Sequence, residues 1–249
     1  MSHQARFQAD FYPESRFGGF SDIDGTIAFY ARVNALLARD GIVVDFGCGR
    51  GAYGEDPVPF RRGLRILSGK AAKVIGLDAN PAAAVNPFID QFYLLEASGW
   101  PLADASADLV LCDHVLEHLP DPELFFREAS RVLKAGGILC ARTPNAWSYV
   151  SLAARLVPNR SHAAVLKHVK GAAAEQDVFQ TFYRCNSLPA LRGALARNRL
   201  EGIVYGYEAE PSYHSFPRLA YFFGVIHQRF APGFLRPALF VFARRSPAV

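Results

Sequence analysis

The chain has 249 residues, 51% of them hydrophobic and 20% charged, so a large buried core is available and a disordered chain is not expected. Its four cysteines, Cys48, Cys112, Cys140 and Cys185, lie far apart with no C-x-x-C pair, which tells against a disulfide scaffold or a zinc site and fits a reducing, cytoplasmic setting. The net charge of +4 conceals a division: residues 1–143 hold 14 basic and 18 acidic side chains, residues 144–249 hold 13 and 5.

A basic half suits an anionic acceptor, an anionic membrane surface or nucleic acid. The basic residues are dispersed, however, with no dense run, and nucleic acid is the least expected partner. Met1 to Phe7 has no apolar core, so no secretory signal is expected there.

In chain order, Thr26 to Arg39 carries Ile27, Tyr30, Ala31, Asn34, Leu37 and Ala38 at helical spacing, and Asp40-Gly41 stops it. A strand is expected at Ile42–Phe46, followed by the loop Gly47-Cys48-Gly49-Arg50-Gly51. Pro57 and Pro59 forbid a long helix directly after it, and a short one is expected over Arg61 to Leu67. Further strands are expected at Lys73–Asp78, Gln91–Glu96, Ala107–Asp113 and Ile138–Arg142. Between the last two, Asp121 reads as the N-cap and Pro122 as the first residue of a helix running to Lys134, with Gly136-Gly137 as its stop. Beyond Pro144 the periodicity weakens until a helix at Leu188–Asn198 and strands at Gly202–Tyr207 and Leu239–Arg244. The apolar run Leu219–Ile226 is too short to span a bilayer and reads as core or a partner contact, with a membrane interface beside Arg218, Arg229 and Arg236 as the other reading.

Strands alternating with helices predict an α/β fold with a doubly wound, mostly parallel sheet and helices on both faces. Ligands in such sheets bind beyond the carboxyl ends of the strands. The glycine loop, Asp78, Glu96 and Asp113 all fall at expected strand ends. Two readings of the loop compete. Gly49-Arg50-Gly51-Ala52-Tyr53-Gly54 is a dinucleotide-type G-x-G-x-x-G, but that reading leaves Asp45 and Gly47 unused. The pattern D-x-G-x-G-x-G, from Asp45 to Gly51, uses every residue. An acid before the glycines suits a ligand with a positive end, and S-adenosylmethionine is the candidate.

The run from Ala107 to Pro122, A-D-L-V-L-C-D-H-V-L-E-H-L-P-D-P, with Arg131-Val132-Leu133-Lys134-Ala135-Gly136-Gly137 after it, resembles the small-molecule class I S-adenosylmethionine-dependent methyltransferases. Departures are Ala107 for Phe, Ala135 for Pro, Glu96 for the usual Asp, and the long segment from Gly51 to Asp78. The resemblance implies a Rossmann-like sheet with an antiparallel last strand, in one domain over residues 1–249. That domain would comprise an N-terminal lid and helix (1–40), a cofactor core (41–146) and acceptor-side insertions (147–187 and 211–237). It implies cofactor contacts from Asp45, Gly47, Cys48, Gly49 and Gly51, from Asp78 and Ala79 at the ribose, from Glu96 and Ala97 at the adenine, and from Asp113 and His114 near the sulfonium. His114 is then the candidate general base, with Tyr183 and Arg184 orienting the acceptor. His118 completes H-x-x-x-H with His114 but lacks a third ligand, so no metal is expected.

Asp177 to Ser187 is more loosely similar to methyltransferases of bacterial surface-polysaccharide assembly. The implied reaction is O-methylation of a saccharide or of another polar metabolite, free or lipid-linked. The alternatives are N- or C-methylation of a small metabolite and a non-catalytic cofactor-binding scaffold. The oligomeric state is left open.

Overall fold

A computed structural model describes residues 8–96, 99–156, 180–211 and 218–247. Seven strands form one sheet in the order β3-β2-β1-β4-β5-β7-β6. They are β1 (Ile42–Phe46), β2 (Lys73–Asp78), β3 (Gln91–Leu94), β4 (Ala107–Asp113), β5 (Leu133–Pro144), β6 (Leu200–Tyr207) and β7 (Ala238–Arg245). All neighbours are parallel except β7, which runs antiparallel to β5 and β6. The chain crosses from β1 outward to β3, then returns to place β4 on the other side of β1. The switch point therefore lies between β1 and β4, beyond Phe46 and Asp113.

Alternation along the central strands builds two cores. Val44, Phe46, Val110 and Cys112 face one side, where they meet α3 (Pro122–Val132) and α5 (Leu188–Arg197). Val43, Leu109, Leu111 and Cys140 face the other, against Phe29, Tyr30 and Val33 of α1 (Gly25–Leu36). Phe46, Trp100 and Phe125 pack ring on ring at 4.9–5.7 Å in the first core. Phe29 meets Phe240 at 5.3 Å in the second.

The caps explain the helix starts. Asp24 accepts from the Thr26 and Ile27 amides, and Asp121 from those of Glu123 and Leu124, with Pro122 at the first turn as expected. A short helix, α2 (Pro59–Arg65), begins at the second proline rather than after it. Helix α3 ends at Val132, two residues before the expected stop, because Lys134 and the two glycines belong to β5. A register irregularity absorbs the extra β5 residues between Leu133 and Ile138, opposite Ala107 to Leu109 of β4, and Gly136 has φ +78° there.

Two helices lie in the weakly periodic regions: α4 (Tyr149–Leu156) and α6 (Arg218–Phe230). The apolar run Leu219–Ile226 is thus neither wholly core nor wholly exposed. Tyr221 and Val225 are buried, while Leu219, Phe222, Phe223 and Ile226 face outward. Among the described residues no helix is long and apolar enough to cross a membrane.

Candidate active site at the switch point

Loop and strand ends close a cleft of about 590 Å³. Gly47, Gly49 and Gly51 all adopt positive φ, +75°, +53° and +80°. A Cβ on Gly47 would strike Val115, and one on Gly51 would lie 2.7 Å from Asn86 Oδ1. A Cβ on Gly49 would meet no atom within 4 Å, so this is where the bare backbone looks into the cleft. Asp78 fastens the loop: its Oδ2 accepts from the Gly49 amide at 2.9 Å and its Oδ1 from the Asn80 amide at 2.8 Å. Asn86, which sequence reading missed, donates to the Cys48 and Gly49 carbonyls from a buried position. Cys48 lines the cleft, but burial pushes its thiol up to about 12, and the sulfur sits where a Cβ on Gly76 would lie. Its contribution to the cleft is backbone.

Strand parity gathers the acids. Asp45 follows Val43, and Asp113 follows Leu111, on the side facing α1. Asp113 is held there by Arg142 in a two-pronged pair at 2.7 and 2.8 Å and accepts from the Tyr30 hydroxyl at 2.9 Å. Burial would raise its carboxyl. The Arg142 guanidinium, His114 and Arg65 outweigh burial and hold it well below the usual range. Among the described residues Asp45 has no such two-pronged partner. Burial and the Asp113 charge, with Asp78 adding and Arg65 opposing, push its carboxyl up to about 7. At the floor of the cleft Asp113 is thus paired, and Asp45 is a buried carboxyl that takes on charge only at a cost.

His114 follows β4 with φ +59°, a strained conformation for a side-chain-bearing residue. Its amide donates to the Arg142 carbonyl at 2.8 Å. Its Nδ1 is 3.5 Å from Glu117 Oε1 and its Nε2 3.8 Å from Asp113 Oδ1. Behind it runs a buried chain: Asn186 Nδ2 donates to Thr143 Oγ1 at 2.6 Å, and that hydroxyl donates to Glu117 Oε2 at 3.0 Å. Burial raises the Glu117 carboxyl, but the contacts from His114 and Thr143 prevail and keep it ionised below the usual range. Glu117 also receives the Phe182 and Tyr183 amides at its carbonyl. The only sequence signal for this carboxylate was its position three residues after His114.

A second cavity, about 730 Å³, opens on the other side of His114, which lines both. Gln8, Asp24, Arg61, Tyr149, Glu208 and Glu210 are among its polar walls. Arg61 is bound to Asp24 and Asp56, and Arg142 to Asp113, so neither guanidinium is left over for an anion. Glu208 takes His227 Nδ1 at 2.8 Å, and Glu210 takes Gln8 Nε2 at 3.0 Å. Burial raises both carboxyls.

Of the expected site residues, Asp45, Gly47, Cys48, Gly49, Gly51, Asp78, Ala79, Asp113 and His114 line the cleft together. Glu96 does not. Strand β3 ends at Leu94, Leu95 takes the lining position, and Glu96 is exposed in a bridge to Gly99. Ala97 lies outside the described residues, as do Asp177 to Phe179 of the polysaccharide-type stretch. Tyr183 and Arg184 are not among the residues lining either cavity. The backbone turns at Tyr183 (φ +51°), Arg184 is exposed over the Phe182 ring at 5.8 Å, and Gln180 and Phe182 reach the cleft instead. His118 lines the cleft with Nδ1 2.9 Å from the Gln180 carbonyl.

Residues 44–141 match the family model described as "Methyltransferase domain". Over 126 residues the chain is 37% identical to a Mycolicibacterium smegmatis protein named "Probable S-adenosylmethionine-dependent methyltransferase". That match covers 48% of this chain and 43% of that protein, so the chain spans less than half the length of this relative. A ubiquinone biosynthesis O-methyltransferase of Sodalis glossinidius is 31% identical over 169 residues, covering 57% of this chain and 61% of that one. In fold, the chain is similar to geranyl diphosphate C-methyltransferase from Streptomyces coelicolor, solved with S-adenosyl-L-homocysteine. The TM-score is 0.53 at 17% identity, over 88% of this chain and 74% of that one. With the sheet order and the glycine loop closed by Asp78, these matches identify residues 44–141 as a methyltransferase domain, in a chain whose fold is similar to that of class I S-adenosylmethionine-dependent methyltransferases.

Proposed function

We propose that this chain binds S-adenosylmethionine in the cleft between β1 and β4 and O-methylates a polar acceptor, a saccharide or a related hydroxylated metabolite, held in the second cavity. One observation carries the reading: His114 is a wall of both cavities, so a donor in one and an acceptor in the other meet at its imidazole.

The cleft suits the cofactor on its own chemistry. Asp45 sits where burial penalises its charge, and a ligand cation offsets that penalty. The two Asp78 oxygens each accept one backbone amide and retain a lone pair for a ribose hydroxyl. Gly49 leaves room for a ligand against its main chain. When bound, the cofactor supplies a methyl group on a positively charged sulfur.

The protein's share is placement, exclusion of water and management of one proton. Glu117 faces His114 Nδ1 and favours the proton there, which leaves Nε2 to take the proton of an acceptor hydroxyl. The acceptor oxygen relieved of that proton would be the nucleophile for the methyl group, with Nε2 holding the proton. The walls of the second cavity favour a neutral, hydroxyl-rich acceptor over the anionic one that the basic half suggested. Their guanidinium groups are already paired, and Asp24, Glu208 and Glu210 add acceptor oxygens.

Calorimetric titration with S-adenosylhomocysteine tests the first half, with saturable one-to-one binding expected. A chain that binds neither this product nor the cofactor is not a methyltransferase. A screen of glycosides and polyols with methyl-labelled cofactor tests the second half, with label expected on oxygen.

A further inference from the structure

Among the described residues, the largest stripe of exposed apolar side chains lies on α6. Leu219, Phe223 and Phe230 are 66%, 60% and 79% exposed, with Phe222 and Ile226 beside them. Their spacing puts all five within about a third of the helix circumference. On the opposite side Tyr221 and Val225 are buried against Phe11, Tyr12 and Ile23, and the Phe11 ring lies tilted against Tyr221 at 5.3 Å. The helix is thereby locked with its apolar stripe outward. Phe234, half exposed on the turn that follows, extends the stripe.

The same helix carries Arg218 and Arg229, both exposed, and the helical repeat sets both along one edge of the stripe; Arg218 stands 3.7 Å from Asp10 Oδ2 in a solvent-exposed pair that leaves most of its guanidinium open. They belong to the half of the chain with 13 basic and 5 acidic residues. Inside the stripe, a cavity of about 330 Å³ runs between Phe223 and Gly224 of α6 and Tyr149 of α4. Tyr149, Pro211 and Tyr221 line both this cavity and the second cavity at His114. The outward face of α6 is thus continuous with the place where the acceptor is proposed to lie.

We infer that α6 is an interfacial helix that seats this protein on an anionic bilayer, apolar stripe in the headgroup layer and arginines on the lipid phosphates, and that the acceptor enters from there with an apolar chain. This deepens the acceptor reading above and rests on it for the second part only. An apolar face of this width with cationic side chains along one edge is a pattern that binds such surfaces, through buried hydrocarbon plus charge attraction.

Sedimentation of the full chain with vesicles tests it. Vesicles of equal parts phosphatidylcholine and phosphatidylglycerol should pull the protein down, phosphatidylcholine alone should do so less, and added salt should weaken the binding. The paired change Phe222→Ser with Phe223→Ser should lower vesicle affinity at least about tenfold. Arg218→Gln with Arg229→Gln should remove the preference for anionic vesicles. S-adenosylhomocysteine titration should be unchanged in both variants, which shows that they fold. Wild-type protein left in the supernatant with both vesicle types overturns the inference. So does a dimer that the phenylalanine changes dissociate, which assigns the stripe to a second copy. Loss of S-adenosylhomocysteine binding in the wild type would instead defeat the methyl-transfer reading and leave the vesicle result standing.

Discussion

The two cavities that meet at His114 are built by different rules. The cleft beneath the glycine loop draws on strand ends and turns close together in sequence, from Asp45 to Tyr53, Asp78 to Asn80 and Asp113 to Pro120. Much of its surface is main chain, where glycine matters because a Cβ would collide or fill the space. The second cavity is assembled from side chains of segments scattered between Gln8 and Phe240. A backbone cradle confines which residues can stand at each position, while a side-chain wall can be rewritten piecemeal without touching the sheet. The proposed donor side is therefore written in short-range pattern, and the proposed acceptor side in tertiary contact.

Breaking the bridge between the cavities should have the largest effect. His114→Ala should lower turnover about 10³-fold by removing the proton acceptor, with affinity for S-adenosylhomocysteine within about twofold of wild type. Unchanged turnover would show that the reaction needs no base at this position. Next comes the cradle itself. Asp78→Ala removes charge-assisted hydrogen bonds to ligand and loop, and the cofactor dissociation constant should rise about 100-fold without loss of the far-ultraviolet circular dichroism signal. Wild-type affinity would remove Asp78 from the site.

Asp45 sharpens the contrast through pH. Its carboxyl lies near 7 in the ligand-free fold, against an ordinary value of 3.8. A cationic ligand prefers the carboxylate, so cofactor affinity should fall about tenfold per pH unit below 7 and level off above 8. Stability should move the other way. A carboxyl whose value is raised on folding favours the folded state when protonated, so the ligand-free protein should lose stability as pH rises from about 4 to 7. Asp45→Asn should flatten both curves, and thermal melts with titrations at pH 6 and 8 check it. The smallest effect belongs behind the imidazole. Thr143→Val breaks the Asn186–Thr143–Glu117 chain, and turnover should drop several-fold for about 1 kcal/mol of lost positioning. Cofactor affinity should not change, and an unaltered kcat would reduce this chain to packing.

The sequence was most legible where burial on both faces leaves a continuous apolar run. β1, β2 and β4 begin and end on the expected residues. β5 was cut short because Gly136-Gly137 carries the signature of a helix stop, and only pairing with β4 shows a strand irregularity. Glycine spacing located the cleft, but it could not show that Leu95 rather than Glu96 lines it, since one residue of strand length reverses the facing side. Glu117, Thr143 and Asn186 come from three separate elements, and their chain exists only once β5 is laid beside β4. Helix α6 was hidden by aromatic residues on several sides, which blurs the contrast on which periodicity depends.

The position of β7 orders the making of this protein. Residues 238–245 slot between β5 and β6, both synthesised earlier. While the ribosome has not passed that stretch, β5 shows an unpaired border and β6 has nothing to join. The cofactor half can mature during translation, but the sheet's other flank must wait for one late insertion, and a chain stalled before it would offer open strand edges to chaperones or to aggregation.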